Sequence, residues 1–87
     1  MTDIADVLFQ SLKAYPNPVN NTLHLEASDI ATCQWQIFDT DGRQIKSGQL
    51  NFEGGRALID FNAVHQGVYI LLLTNEGQRF VKRIVKL

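Results

Sequence analysis

From Ser11 to Leu87 the chain is interrupted by turn-forming residues about every ten positions, and nowhere between them does it hold a helical period. Asn20-Asn21, Ser28-Asp29, Thr40-Asp41-Gly42, Gly54-Gly55 and Asn75-Glu76-Gly77 are the interruptions. Between them apolar and polar residues alternate, so every second side chain falls on the same face of an extended segment. Segments this short cannot be buried helices. They are expected to be about seven strands, joined mostly by hairpins into an antiparallel β-sandwich.

The strands can be placed one by one. Leu12 to Tyr15 is a short first strand, stopped by Pro16 and Pro18, which have no N–H to give to a ladder. Thr22 to Glu26 puts Leu23 and Leu25 on one face, and Thr32 to Asp39 does the same with Cys33, Trp35 and Ile37. A tight turn follows. Asp39 suits its first position, and Gly42 suits a closing position at positive φ. Gln44 to Leu50 returns as the partner strand, and Arg56 to Phe61 turns Ala57, Ile59 and Phe61 inward. Val68 to Leu73 is apolar at six consecutive positions, as in a central strand covered on both faces. Gln78 to Leu87 is the last strand. Trp35, Ile37, Ile59 and Phe61 are the expected core.

Size and charge narrow the function. Eighty-seven residues make one small domain, and a chain of this length buries roughly 60–65% of its unfolded surface. A net charge of −1 does not fit a nucleic-acid binder, which would be strongly basic. One cysteine, Cys33, excludes an internal disulfide, and its place in an apolar alternation marks it as a small buried hydrophobe. The longest apolar run is strand-length, well short of a helical membrane span. Residues 1–10 show neither a basic start nor a long apolar stretch. They read as a linker from an upstream domain, with the folded domain over residues 11–87.

No constellation of residues carries catalysis. Asp39-x-Asp41-Gly42 begins like a calcium loop, but Arg43 follows and Leu50 stands where the closing acid belongs, so the turn reading is preferred. His24 and His65 have no partner at metal-ligand spacing and are expected at the surface. No serine sits in a nucleophile elbow. Asn20-Asn21-Thr22 is a formal glycosylation sequon that turn chemistry explains equally well. No cofactor is expected. Arg79, Lys82, Arg83 and Lys86 are half of the eight Lys and Arg residues, crowded into the last nine positions. They read either as exposed charges that protect an edge strand or as a docking strip.

Taken in order, the motifs resemble a known family. They are Tyr15-Pro16-Asn17-Pro18, Leu23-x-Leu25, Ile37-x-Asp39-x-x-Gly42-Arg43, Gly67-Val68-Tyr69-Ile70-Leu71 and the basic-apolar end at Lys82-Arg83-Ile84-Val85-Lys86. The set is similar to the type A C-terminal sorting domain of the type IX secretion system of Bacteroidetes, across about residues 13–87. The resemblance implies an immunoglobulin-like sandwich at the end of a secreted cargo protein. It implies as partners the type IX translocon, an outer-membrane shuttle protein, a sortase and the upstream cargo domain. The cargo would pass through the periplasm to the outer membrane, the cell surface or the medium, and the sortase would remove the domain. Lys82, Arg83, Val85, Lys86 and Leu87 would then be the translocon-recognition residues. Tyr15, Pro16, Asn17, Pro18, Gly42, Gly67 and Tyr69 would be architectural, with Tyr69 matching a tyrosine corner. The cleavage site is not legible in residues 1–11. The long last strand also leaves room for a homodimer, by edge pairing or strand exchange. The rival function is a generic adhesion or carbohydrate-binding module.

Overall fold

The alternation resolves into two antiparallel sheets packed face to face. The computed structural model describes residues 12–87. The linker expected over residues 1–10 and any processing site within residues 1–11 lie outside the described residues. The strands are β1 (Lys13–Tyr15), β2 (Thr22–Glu26), β3 (Thr32–Phe38), β4 (Gln44–Asn51), β5 (Arg56–Asp60), β6 (Gly67–Asn75) and β7 (Gln78–Lys86). The smaller sheet has the order β1-β2-β5 and the larger β4-β3-β6-β7. This is an all-β, immunoglobulin-like sandwich.

Period-two burial sets the register. Leu23, Leu25, Ala57 and Ile59 of the smaller sheet face Cys33, Trp35, Ile37, Tyr69, Leu71, Leu73 and Ile84 of the larger. Trp35, Ile37, Ile59 and Phe61 are all buried, as the alternation requires. Each fully buried Leu, Ile or Phe contributes about 1.5–3 kcal/mol relative to exposure. A one-residue slip in any of these strands would turn its apolar set to water, so the register is strongly specified.

Two turns follow from their residues. The Asp39 carbonyl accepts from the Gly42 N–H at 3.0 Å, and Gly42 has φ +86°. The Asp39 carboxylate also accepts from the backbone N–H groups of Asp41 and Arg43, both at 2.9 Å. Those bonds hold its pKa below the ordinary value of 3.8. The Arg43 backbone bond is the largest cause, and the Arg43 guanidinium at 3.1 Å adds to it. Between β6 and β7, Glu76 and Gly77 both have positive φ, as a two-residue type I′ hairpin requires.

One expectation needs correction. β6 is central in its sheet, between β3 and β7, but it is not covered on both faces. Tyr69, Leu71 and Leu73 are buried, whereas Val68 is exposed and Ile70 and Leu72 are half-buried. The sandwich has only two layers, so nothing in residues 12–87 lies over the outer face of the larger sheet. Its apolar residues there shield one another across strands, with Leu72 opposite Val81 and Val68 opposite Val85.

Candidate functional site: the last strand and the segment that ties it

The Tyr15-Pro16-Asn17-Pro18 motif does more than stop a strand. Tyr15 belongs to β1, on the outer face of the smaller sheet. Its hydroxyl donates to the Glu26 carboxylate, and its ring stacks on His24 with centroids 5.5 Å apart. Two residues later the chain has crossed to the larger sheet. The Asn17 carboxamide takes the place of a backbone peptide beside β7. Its Nδ2 donates to the Arg83 carbonyl at 3.0 Å, and its Oδ1 accepts from the Val85 N–H at 3.0 Å. Val19 then continues the ladder in parallel with β7. Its N–H donates to the Val85 carbonyl at 2.7 Å, and its carbonyl accepts from the Leu87 N–H at 2.9 Å. Prolines suit the crossing because neither leaves an N–H to satisfy between the sheets. Val19 is fully buried, so the crossing is also anchored in the core.

This tie divides the outer edge of β7. The strand pairs with β6 on its inner side. Odd-numbered residues point their backbone groups outward, as the bonds of Val85 to Asn17 and Val19 establish. From the Arg83 carbonyl to the Leu87 N–H the outward groups are occupied. The very end of the strand is therefore already paired on its outer edge and does not offer those groups to a partner. Among the described residues, no bond reaches the outward backbone groups of Arg79 and Val81 or the Arg83 N–H.

The basic residues of β7 divide by parity in the same way. Arg79 and Arg83 lie on the outer face with Val81 and are exposed. Val85, beside them, is half-buried, and Leu87 at the end is 58% exposed. Lys82 is half-buried on the inner side, next to Ile84. Lys86, expected among exposed charges, is only 8% exposed. It follows Ile84 by two residues and so shares its face, and its ammonium donates to the Leu87 carbonyl at 2.8 Å. The parity of Ile84 was the signal in the sequence that could have placed it.

The remaining motif residues make local backbone and packing contacts. The Tyr69 hydroxyl, largely buried, donates to the His65 carbonyl at 2.8 Å, four residues upstream, which is a tyrosine corner. Gly67 opens β6 directly beside that ring. Gly48 lies inside β4, where alternation alone does not single it out. It pairs with Trp35 across β3 and β4, and a β-carbon there would stand 2.9 Å from the indole Nε1. Its hydrogen is the space in which the indole lies.

A shallow surface depression lies beside β1 and the β4–β5 turn. That depression, of about 640 Å³, is lined among the described residues by 13, 26–28 and 54–56, none of them aromatic. Among the described residues no cluster of His, Cys, Asp and Glu is arranged to hold a metal ion.

A match to the family described as the secretion system C-terminal sorting domain extends over residues 13–87, from the first residue of β1 through β7. The chain belongs to this family. Sorting domains of this type IX secretion family are signals, and such domains are typically non-enzymatic. Membership implies interaction with the type IX machinery and with an upstream cargo. It also implies export to the outer membrane, the cell surface or the medium.

Solved structures agree on the fold. AaCel9A in complex with cellobiose-like isofagomine shares 17% identity and a TM-score of 0.62, over 88% of this sorting domain and 15% of that chain. A thermostable endoglucanase from Alicyclobacillus acidocaldarius shares 18% identity and a TM-score of 0.55, over 76% of the domain and 12% of that chain. The domain thus spans less than a sixth of either enzyme, and at these identities the likeness is one of fold alone. A comparison with curated proteins returns no match.

Proposed function

We propose that this domain is the address label of a larger cargo protein, recognised by the type IX translocon through β7 and removed by a surface sortase after passage. The domain performs no catalysis of its own. The cargo reaches it from the N-terminal side, crosses the periplasm, meets the outer-membrane shuttle and is released to the surface or the medium. The family match across β1 to β7 is the observation that carries this reading. The concentration of cations on β7 supports placing recognition there. Lys82, Arg83, Val85 and Leu87 present side chains with some solvent access, whereas Lys86 is buried and serves the fold first.

Fusion of residues 11–87 to a periplasmic reporter, in a host with this secretion system, tests the proposal. The reporter is expected outside the cell. Lys82→Glu with Arg83→Glu should retain it in the periplasm while circular dichroism still shows a folded sandwich. Lys86 is left unchanged so that recognition is not confused with folding. Retention of the wild-type fusion would refute the sorting reading. Normal export of the folded double variant would move recognition off these two cations.

A further inference from the structure

The tie at Asn17 and Val19 occupies the end of the β7 edge, and the edge just before it has a specific chemistry. No hydrogen bond among the described residues reaches the outward N–H and C=O groups of Arg79 and Val81, or the outward N–H of Arg83. The β6–β7 pairing places Thr74, Leu72 and Ile70 behind Arg79, Val81 and Arg83 on the outer face. That edge is therefore a cation, an apolar residue and a cation at every second position. Val81 is 57% exposed and lies beside the half-buried Leu72 and Ile70.

We propose that this stretch, Arg79 to Arg83, docks an extended acidic segment of a partner protein by strand addition. The segment carries carboxylates at two positions four apart, with a β-branched apolar residue midway between them. Unpaired backbone groups supply affinity to any extended peptide, and flanking side chains supply the choice. Residues directly opposite on neighbouring strands lie within about 5.5 Å, so carboxylates would stand against Arg79 and Arg83 and the apolar residue against Val81. Lys82, half-buried on the other face of the strand, leaves the site cationic on both sides. A second copy of this chain fits poorly. The fully overlapped antiparallel register, centred on Val81, sets each Arg79 opposite the other copy's Arg83, and like charges directly opposed are destabilising. The edge is thus guarded against itself and receptive to acid.

This inference rests on the sorting reading for its biological meaning but not for its chemistry. The test uses the full 87-residue chain and two synthetic peptides. One has the repeat Thr-Glu-Thr-Val-Thr-Glu-Thr and the other has Lys in place of both Glu. Binding is followed by fluorescence anisotropy at physiological ionic strength. The acidic peptide is expected to bind at least about tenfold more tightly than the basic one, with a preference that shrinks as salt is raised. Arg79→Glu with Arg83→Glu should reverse the preference. Val81→Pro removes an outward N–H that no described residue uses, at an edge where proline is tolerated. It should abolish binding while near-ultraviolet circular dichroism stays native. Equal binding of both peptides, or an unchanged preference in the charge-reversed variant, would overturn the proposal. The charge-reversed variant decides the matter even if Val81→Pro fails to fold. Export of the reporter fusion without peptide discrimination would sink this inference and leave the sorting reading standing. Discrimination without export would do the reverse.

Discussion

Replacing Asn17 by Ala should loosen the end of β7 without disturbing the rest of the sandwich. The substitution removes two hydrogen bonds, one to the Arg83 carbonyl and one from the Val85 N–H, each 3.0 Å long. A net hydrogen bond contributes about 0.5–1.5 kcal/mol. Asn17 is exposed, so water can satisfy both backbone groups in its absence, which puts the expected loss at about 1–2 kcal/mol for the pair. At about 4–8 °C per kcal/mol for a domain this small, the melting temperature should fall by roughly 5–15 °C.

Hydrogen exchange locates the effect. The Val85 amide points outward to Asn17 and should lose protection. The Ile84 amide points inward to β6 by alternation and should keep its protection relative to global unfolding. Asn17→Asp sharpens the argument. It keeps the acceptor for Val85 but sets a second carboxylate oxygen where the amide faced the Arg83 carbonyl, so the near-isosteric change should be no milder than Ala. An unchanged melting temperature and unchanged Val85 protection in Asn17→Ala would show that the carboxamide does not tie the strand.

Three further outcomes follow from single contacts. Gly48→Val drives a side chain into the Trp35 indole, whose nearest atom would be 2.9 Å from the new β-carbon. Calorimetry should show a loss of about 1–3 kcal/mol, and tryptophan fluorescence should shift. Burial raises the Cys33 thiol to about 11, so a thiol-alkylating reagent at pH 8 should leave the native domain almost untouched and label it readily in urea. A native labelling rate equal to that in urea would contradict the burial. Asp39 has a folded pKa below its ordinary 3.8, chiefly through the Arg43 backbone bond. Its contribution is therefore fully present above that value and lost as pH falls through the lower folded value. Asp39→Asn should flatten the acid limb of the stability curve below about pH 4, measured by urea unfolding.

What the sequence made legible was local in origin. Alternation at Leu23 and Leu25, and at Cys33, Trp35 and Ile37, needs no partner to be read, because burial of one face imposes it. Asp39 and Gly42 carry their turn in their own chemistry. The crossing at Pro16 and Pro18 was only half legible. Missing N–H groups correctly mark the end of a strand, but the bonds of Asn17 and Val19 reach residues 66 to 68 positions away, and no local signal names such a partner. The six apolar residues of β6 misled for a related reason. A run without alternation does not distinguish a strand covered by a third layer from one whose outer face rests on neighbouring strands. Gly48 carried a signal, since a lone glycine inside a strand often marks close approach of another group, but only the pairing register identifies that group as Trp35.

The crossing also bears on why a secretion signal would be a folded domain rather than a linear tail. As a free peptide, residues 79–87 would present every backbone group and all four cations to any partner. In the sandwich, the same residues are sorted three ways. Lys86 is turned into the protein, the edge from Arg83 to Leu87 is occupied by Asn17 and Val19, and no described residue bonds the outward backbone groups of Arg79 and Val81. The segment that does this sorting lies at the other end of the domain, directly after β1, on the side from which the proposed cargo would arrive. Exposure of β7 is therefore coupled to the integrity of the domain's first residues as well as its last. If β7 is the recognised element, damage at Asn17 or Val19 should impair export as surely as damage at Arg83. It should do so by misplacing an intact signal strand, a distinction that hydrogen exchange at Val85 and the export assay can draw together.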